Sequence, residues 1–295
     1  SAEAIISAVH AAATVDRLPR EIVLELTARR ATAPIFSPLA ASPIDRSDLP
    51  LDLARRVIDE LADLDDARLT LAGVGDPLLH PDLLAVVAHA VERGVAVHVE
   101  TDLLPTDPAA VDALGGSAAD VVSVHLPAVT PATYAVVMGV DAYEAALRNV
   151  QAFVTARAAA GRGTPVVAPL FVKCRQNQHE MEAWYDQWLR AVGSAVIVGP
   201  TTFGGLLPGV AAADMTPPQR VPCRRLTDRL TVLSDGRYVT CEQDPLGRQA
   251  AGRAGVDALA EVWGAKFAAL RKHHADMQFG RLHPVCAACT EWHRP

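Results

Sequence analysis

The sequence predicts an α/β fold in which strand–helix units build a parallel sheet, followed by a smaller cysteine-bearing region. Three observations carry this. From residue 21 to about 200, short β-branched runs alternate with longer helical patterns. The texture changes after a proline- and alanine-rich stretch without periodicity, PGVAAADMTPPQR (208–220). Four of the five cysteines then fall in the last 73 residues.

The opening SAEAIISAVHAAAT lacks a basic n-region and reads as a short alanine-rich helix, not a signal peptide. Strands are expected at EIVLELT (21–27), RLTLAG (68–73), VAVHVET (95–101), DVVSVHL (120–126), PVVAPLFVK (165–173) and SAVIVG (194–199). Between them Leu53, Val57, Leu61 and Leu64 recur at helical spacing, as do Tyr143, Leu147, Val150 and Phe153. Asp107-Pro108 and Thr130-Pro131 pair an N-cap residue with proline at the first helical position. Six such units in a row mean a parallel sheet, open or curled into a barrel. Beyond the proline-rich stretch, LTVLSDGRYVT (230–240) predicts a hairpin turning at Asp235-Gly236, with a helix near 255–272. The expected division is 1–205, a linker at 206–222, and 223–295.

Half of the residues are hydrophobic but only 5% are aromatic, so the core is mostly Ala, Val and Leu. A net charge of −7 without a long basic run argues against nucleic acid or an anionic membrane as main partner. No apolar stretch approaches the roughly 20 residues needed to span a bilayer. A cytoplasmic location follows, and in that reducing compartment clustered cysteines point to a metal or redox role.

Cys223, Cys241, Cys286 and Cys289 are spaced C-x17-C-x44-C-x2-C. Four thiolates suit a tetrahedral zinc or a cubane iron–sulfur cluster. Buried small hydrophobes are the plainer alternative. Cys174, alone at a strand end, reads as structural, and His273, His274, His283 and His293 read as solvent-exposed.

The segments PCRRL, LSDGRYVTCEQD, EVWGAKFAALRKHH and CAAC occur in that order. They resemble the SPASM/twitch auxiliary-cluster region of radical S-adenosylmethionine (SAM) enzymes. In cysteine pattern the likeness is to the 2-deoxy-scyllo-inosamine dehydrogenase type. Upstream, LTLAGVGDPLLHPDL resembles the family's glycine-rich G-x-G-E-P segment, with Asp76 in place of glutamate. VETDLLP stands where the family has T-N-G. The resemblance implies a partial (β/α)6 barrel of radical SAM type, a twitch/SPASM-like domain, and one [4Fe–4S] cluster on the four cysteines.

The family's defining motif, C-x3-C-x2-C, falls on Arg30, Pro34 and Ser37, and no cysteine precedes Cys174. The resemblance therefore implies that the SAM-cleaving cluster is absent and that SAM loses its iron anchor. Arg30 can bind a substrate carboxylate or phosphate bidentately, or pair with Asp76 as a structural substitute. Gly73 and Gly75 let backbone approach a ligand, or simply make a βα turn.

Strand alternation places Glu25 with Thr27, His98 with Glu100, and Ser123 with His125, while Lys173 ends the fifth strand. In a barrel these line the lumen near the strands' carboxyl ends, where α/β folds put active sites. His98, Glu100 and His125, with Lys173, are candidates for general base catalysis or a mononuclear metal, or are simply hydrogen-bonded. Arg30, Gly73, Gly75, Asp76 and Ser123 are the candidate ligand-binding residues. Two functions follow: a biosynthetic enzyme doing non-radical chemistry on a small polar or anionic metabolite, or a non-catalytic cluster-bearing partner or electron-transfer protein for another enzyme.

Overall fold

The computed structural model describes residues 15–105 and 107–294. The alanine-rich stretch read as an N-terminal helix lies outside them. Six parallel strands occupy the expected runs: β1 (Glu21–Leu24), β2 (Arg68–Leu71), β3 (Ala96–Thr101), β4 (Val121–His125), β5 (Val166–Val172) and β6 (Val196–Val198). Each pairs with the next in parallel register, for example Leu24 with Leu71 and Glu100 with Ser123.

The sheet does not stop at β1. β7 (Arg229–Val232) lies parallel along its free side, and β8 (Arg237–Val239) and β9 (Gly252–Arg253) continue antiparallel. The order is β6-β5-β4-β3-β2-β1-β7-β8-β9, a single open row. One sheet thus crosses the expected division at 206–222. That stretch is tied down at both ends: Cys174 bridges Ala211, and Arg220 donates to the carbonyls of Cys286 and Ala287.

Alternation sorts the strand side chains by face. Ile22, Leu24, Leu69, Leu71, Val97, Val99, Val122 and Val124 enter the hydrophobic core with the helices. Helix α1 (Leu51–Leu61) contributes Ala54, Val57, Ile58 and Leu61, and the long helix Tyr143–Ala159 contributes Tyr143, Ala146, Val150 and Phe153. The intervening strand positions, Glu21, Glu25, Thr70, His98, Glu100, Ser123 and His125, take the opposite face.

Local signals explain the boundaries. Thr130 Oγ1 accepts from Thr133 N ahead of the helix Pro131–Met138. Gly236, at φ +83°, makes the β7–β8 turn at the expected dipeptide, where the left-handed backbone suits glycine. The expected helix at 255–272 differs: Leu259–Glu261 runs through a wide π turn, Val262–Lys266, into Ala268–Ala275. The buried Trp263 sits in that turn and donates its indole N–H to Asp16 O at 2.9 Å, consistent with a local widening. Among the described residues no helix is long and apolar enough to cross a membrane.

Candidate functional site

At the carboxyl ends of β1, β3 and β4 four charged side chains converge. Arg30, on the loop after β1, is 7% exposed in its side chain and grips Asp102 with both arms of its guanidinium. Its Nε donates to Oδ2 at 2.8 Å and its Nη2 to Oδ1 at 2.5 Å. Thr32 donates to the same carboxylate. His125 lies between two acids, with Nδ1 3.1 Å from Asp102 and Nε2 3.1 Å from Glu100. Phe36, from the same loop as Arg30, packs on the His125 ring at 5.6 Å between centroids.

This geometry fixes the charges. Two carboxylates facing both ring nitrogens require both to donate, which makes His125 an imidazolium. Burial opposes that charge, but the hydrogen bonds to Asp102 and Glu100 outweigh it and raise the His125 pKa to about 9. Burial likewise pushes Glu100 and Asp102 up. The His125 bond wins at Glu100, bringing it to about 2, and the Arg30 charge holds Asp102 well below the carboxylate range.

A folded-state pKa raised from 6.5 to about 9 gives stability that is fully present below pH ~6.5 and lost as pH rises through about 9. Thermal melts from pH 6 to 10 should show this alkaline loss, and His125→Gln should flatten it. An unchanged slope in the variant would remove His125 as its cause.

Arg30 pairs bidentately with Asp102, through Nε and Nη2, and not with the expected Asp76. Asp76 supports the pair from behind: Oδ1 accepts from Leu78 N and Oδ2 from Asp102 N, both at 2.9 Å. Burial, then the charge of Asp102, pushes its carboxyl up. Pro34 and Ser37 hold the loop in place. Ser37 Oγ caps the turn Pro38–Ala40, and the neighbouring Ala33 and Ile35 amides bond to Met138 and Val137 carbonyls.

The glycines face protein. A Cβ on Gly73, at φ +151°, would stand 2.7 Å from Glu25 Cγ, and one on Gly75 would stand 2.3 Å from Thr27 O. Glu25 itself is fully engaged. It takes Arg46 Nη2 at 2.5 Å and Ser234 N at 3.1 Å on Oε1, and Val74 N at 3.0 Å on Oε2. Arg46 continues to Pro245 O at 2.6 Å.

His98 and Ser123 form a second, uncharged pair, Nε2 to Oγ at 2.8 Å. Burial holds the His98 pKa below its ordinary value. Glu100 keeps about a third of its side chain accessible on this same face, at 34%. Lys173 joins neither group. Its backbone N–H bonds to Val198 O, and its side chain makes no ion pair with the mouth residues.

Two of the four cysteines, Cys223 and Cys286, lie in a smaller apolar cluster with Leu226, Leu270, Leu282 and Phe279. Burial, then the charges of neighbouring thiols, pushes Cys286 up to about 12, and burial, then the Glu242 charge and the Cys223 and Cys286 thiols, pushes Cys241 up. The thiols are thus within electrostatic reach of one another. A zinc ion needs its ligands about 2.3 Å from a single point. Among the described residues no three His, Cys, Asp or Glu side chains are gathered for a single ion.

One orphan atom stands beside them. His274 is 3% exposed, which corrects its expected exposure, and its Nε2 has no hydrogen-bond partner among the described residues. Leu270 and His274, four residues apart, share a helix face, and that spacing was the available signal. Asp102, also missed, continues the 98–100 alternation by one step past the strand end.

This arrangement of parallel strands with polar groups at their carboxyl ends is the partial (β/α)6 barrel fold of radical SAM enzymes. The chain is similar to BtrN in complex with AdoMet and 2-DOIA, at TM-score 0.61 and 16% identity over 93% of this chain and 94% of that one. It is similar to Streptococcus suis SuiB bound to the precursor peptide SuiA, at TM-score 0.71 and 13% identity over 90% and 69%. For anSMEcpe with bound AdoMet the values are 0.62 and 10% over 93% and 90%. In sequence, an uncharacterized protein of Treponema pallidum (strain Nichols) is 28% identical over 296 residues, covering 96% of this chain and 80% of that protein. No protein-family model matches the chain.

Proposed function

We propose that this chain is a biosynthetic enzyme on a radical SAM barrel that has lost the SAM-cleaving cluster and does non-radical chemistry on a small polar metabolite. The observation that carries this is the Arg30–Asp102 salt bridge, standing at the loop position where the resemblance puts the first cluster cysteine. A guanidinium offers no ligand to iron, Pro34 offers none, and Ser37 spends its oxygen on a helix cap.

On this reading the lumen supplies acid–base groups. His98, bonded to Ser123 and held below its ordinary pKa by burial, is the general base, with Ser123 relaying the proton. Glu100 offers its accessible carboxylate edge to substrate N–H or O–H groups. His125, already carrying both protons, orients Glu100 instead of acting as a base. Of the polar and anionic metabolites the sequence left open, the balanced charges of Arg30, His125, Asp102 and Glu100 favour the polar one.

Cys223, Cys241, Cys286 and Cys289 would hold one [4Fe–4S] cluster in a SPASM/twitch-like setting. With all four irons taken by cysteine, that group would supply electron transfer or structural support. A second reading, a docking or electron-transfer partner for another enzyme, draws on the unpaired edge of β6. All three of its residues are exposed, as are Tyr185 and Leu189 on the preceding helix.

The test is anaerobic purification with iron, sulfide and zinc quantification, followed by reductant and SAM. One cluster per chain and no 5′-deoxyadenosine above background are expected. Stoichiometric 5′-deoxyadenosine, or a second cluster near residues 30–37, would overturn the proposal. A small molecule co-purifying with wild type but not with His98→Ala would favour the enzyme over the docking partner.

A further inference from the structure

Arg30 keeps donors in hand after its pairing with Asp102. Nε serves Asp102 and Thr32, and Nη2 serves Asp102 with His125 Nδ1 3.4 Å away. A guanidinium donates from every nitrogen, and the remaining one is Nη1. Nη1 has no partner among the described residues, although the side chain is only 7% exposed. It is not one of the unpartnered atoms shut away from solvent, so its N–H groups open at the barrel mouth.

An acceptor stands one ring away. His125 separates the two groups, with Nδ1 3.4 Å from Arg30 Nη2 and Nε2 3.1 Å from Glu100 Oε1. About a third of the Glu100 side chain stays accessible, at 34%. The mouth thus presents a cationic donor and an anionic acceptor across a single imidazole. Their charges are already matched, Arg30 by Asp102 and His125 by Glu100. A ligand with net charge would leave one charge of this buried set without a counterpart, which is costly. A neutral ligand must then accept at Arg30 and donate at Glu100. Hydroxyls do both without charge. Two of them on adjacent carbons, each bonded at about 2.8 Å, bridge an interval of one ring. The carbon skeleton behind them meets an apolar wall, because the register partners beyond His125 are Leu170 and then Val196, the latter 38% exposed.

We propose that Arg30 Nη1 and the Glu100 carboxylate clamp a pair of neighbouring hydroxyls, so that the ligand of the barrel is a neutral vicinal diol. The inference rests on the small-metabolite reading above and names the substrate class within it. Arg30 serves the fold through one edge of its guanidinium and the ligand through the other.

The probes are cyclohexane derivatives that differ only in the groups they present: a vicinal cyclohexanediol, cyclohexanol, cyclohexanecarboxamide, cyclohexanecarboxylate and cyclohexylammonium. Ligand-observed NMR titration of the full chain gives each Kd. The diol should bind wild type at least about tenfold more tightly than cyclohexanol, the worth of one further charge-assisted hydrogen bond. It should also bind more tightly than the carboxamide and either ion. Arg30→Lys keeps a cation for Asp102 and removes the second edge, and Glu100→Gln removes the charge of the acceptor. Each should erase most of the diol preference. Diol binding should shift the nitrogen signals of the Arg30 guanidinium, assigned by their loss in Arg30→Lys.

Equal affinity for the diol and cyclohexanol, tightest binding by the carboxamide or an ion, or no binding by any probe overturns the clamp. So does a diol preference that survives in both variants with their fold intact by circular dichroism. Should Arg30→Lys not fold, the wild-type series and Glu100→Gln decide alone. A metabolite that co-purifies with wild type and is lost from His98→Ala, beside a failed probe series, leaves the enzyme reading standing and removes only this inference.

Discussion

Replacing Arg30 with alanine is expected to destabilise the protein by about 3–5 kcal/mol, the usual cost of stripping one partner from a buried ion pair. Asp102 is completely buried and would keep only Thr32 and His125 to offset its charge. The sequence alone left two roles open for Arg30, binding an anion or a structural pair with Asp76, and the bidentate contact with Asp102 makes a loss of stability the expected effect. Urea denaturation measures it, and a double-mutant cycle gives the cause. In an Asp102→Asn background Arg30→Ala should cost much less, since no carboxylate is left stranded. A loss below about 1 kcal/mol in the single variant would mean that water reaches Asp102.

Glu25→Ala is expected to cost a similar 3–5 kcal/mol, for a more distributed reason. Its carboxylate ties four segments together: β1, the loop after β2 through Val74, the β7–β8 turn through Ser234, and Arg46. Removing it strands the Arg46 guanidinium at 5% side-chain exposure and leaves two backbone amides without acceptors. Glu25→Gln should fall between alanine and wild type, because an amide oxygen still accepts one bond. Hydrogen exchange reads the consequence locally, with the Ser234 amide in Glu25→Ala exchanging much faster than the β3 and β4 amides. Uniform protection would show that the hairpin holds itself in place.

The strands were legible because burial on one face imposes a period of two, and Val-rich runs bounded by Gly and Pro display it. The β7–β8 turn was legible because Asp235-Gly236 supplies the backbone that such a turn requires. Partners above the sheet were less so. Arg30 and Asp102 are 72 residues apart, and which acid Arg30 meets depends on how two loops pass each other. Periodicity carries no information about that crossing, so the sequence offered Asp76 and passed over Asp102. For Glu25, alternation gave the lumen-facing side but no partner, because Arg46 lies in a loop with no pattern at all. The four cysteines stood out by spacing, whereas the burial of His274 was concealed in a run of charged and polar neighbours.

The pairing of β1 with β7 has a consequence for the order of synthesis. Glu21 and Arg229, register partners in that ladder, are 208 residues apart along the chain. At about 5–20 residues per second on the ribosome, β1 emerges roughly 10–40 seconds before the strand that covers its outer edge. Through that interval its backbone amides and carbonyls on one side are unpaired. The final quarter of the molecule thus acts on its first strand as a built-in chaperone, delivered late.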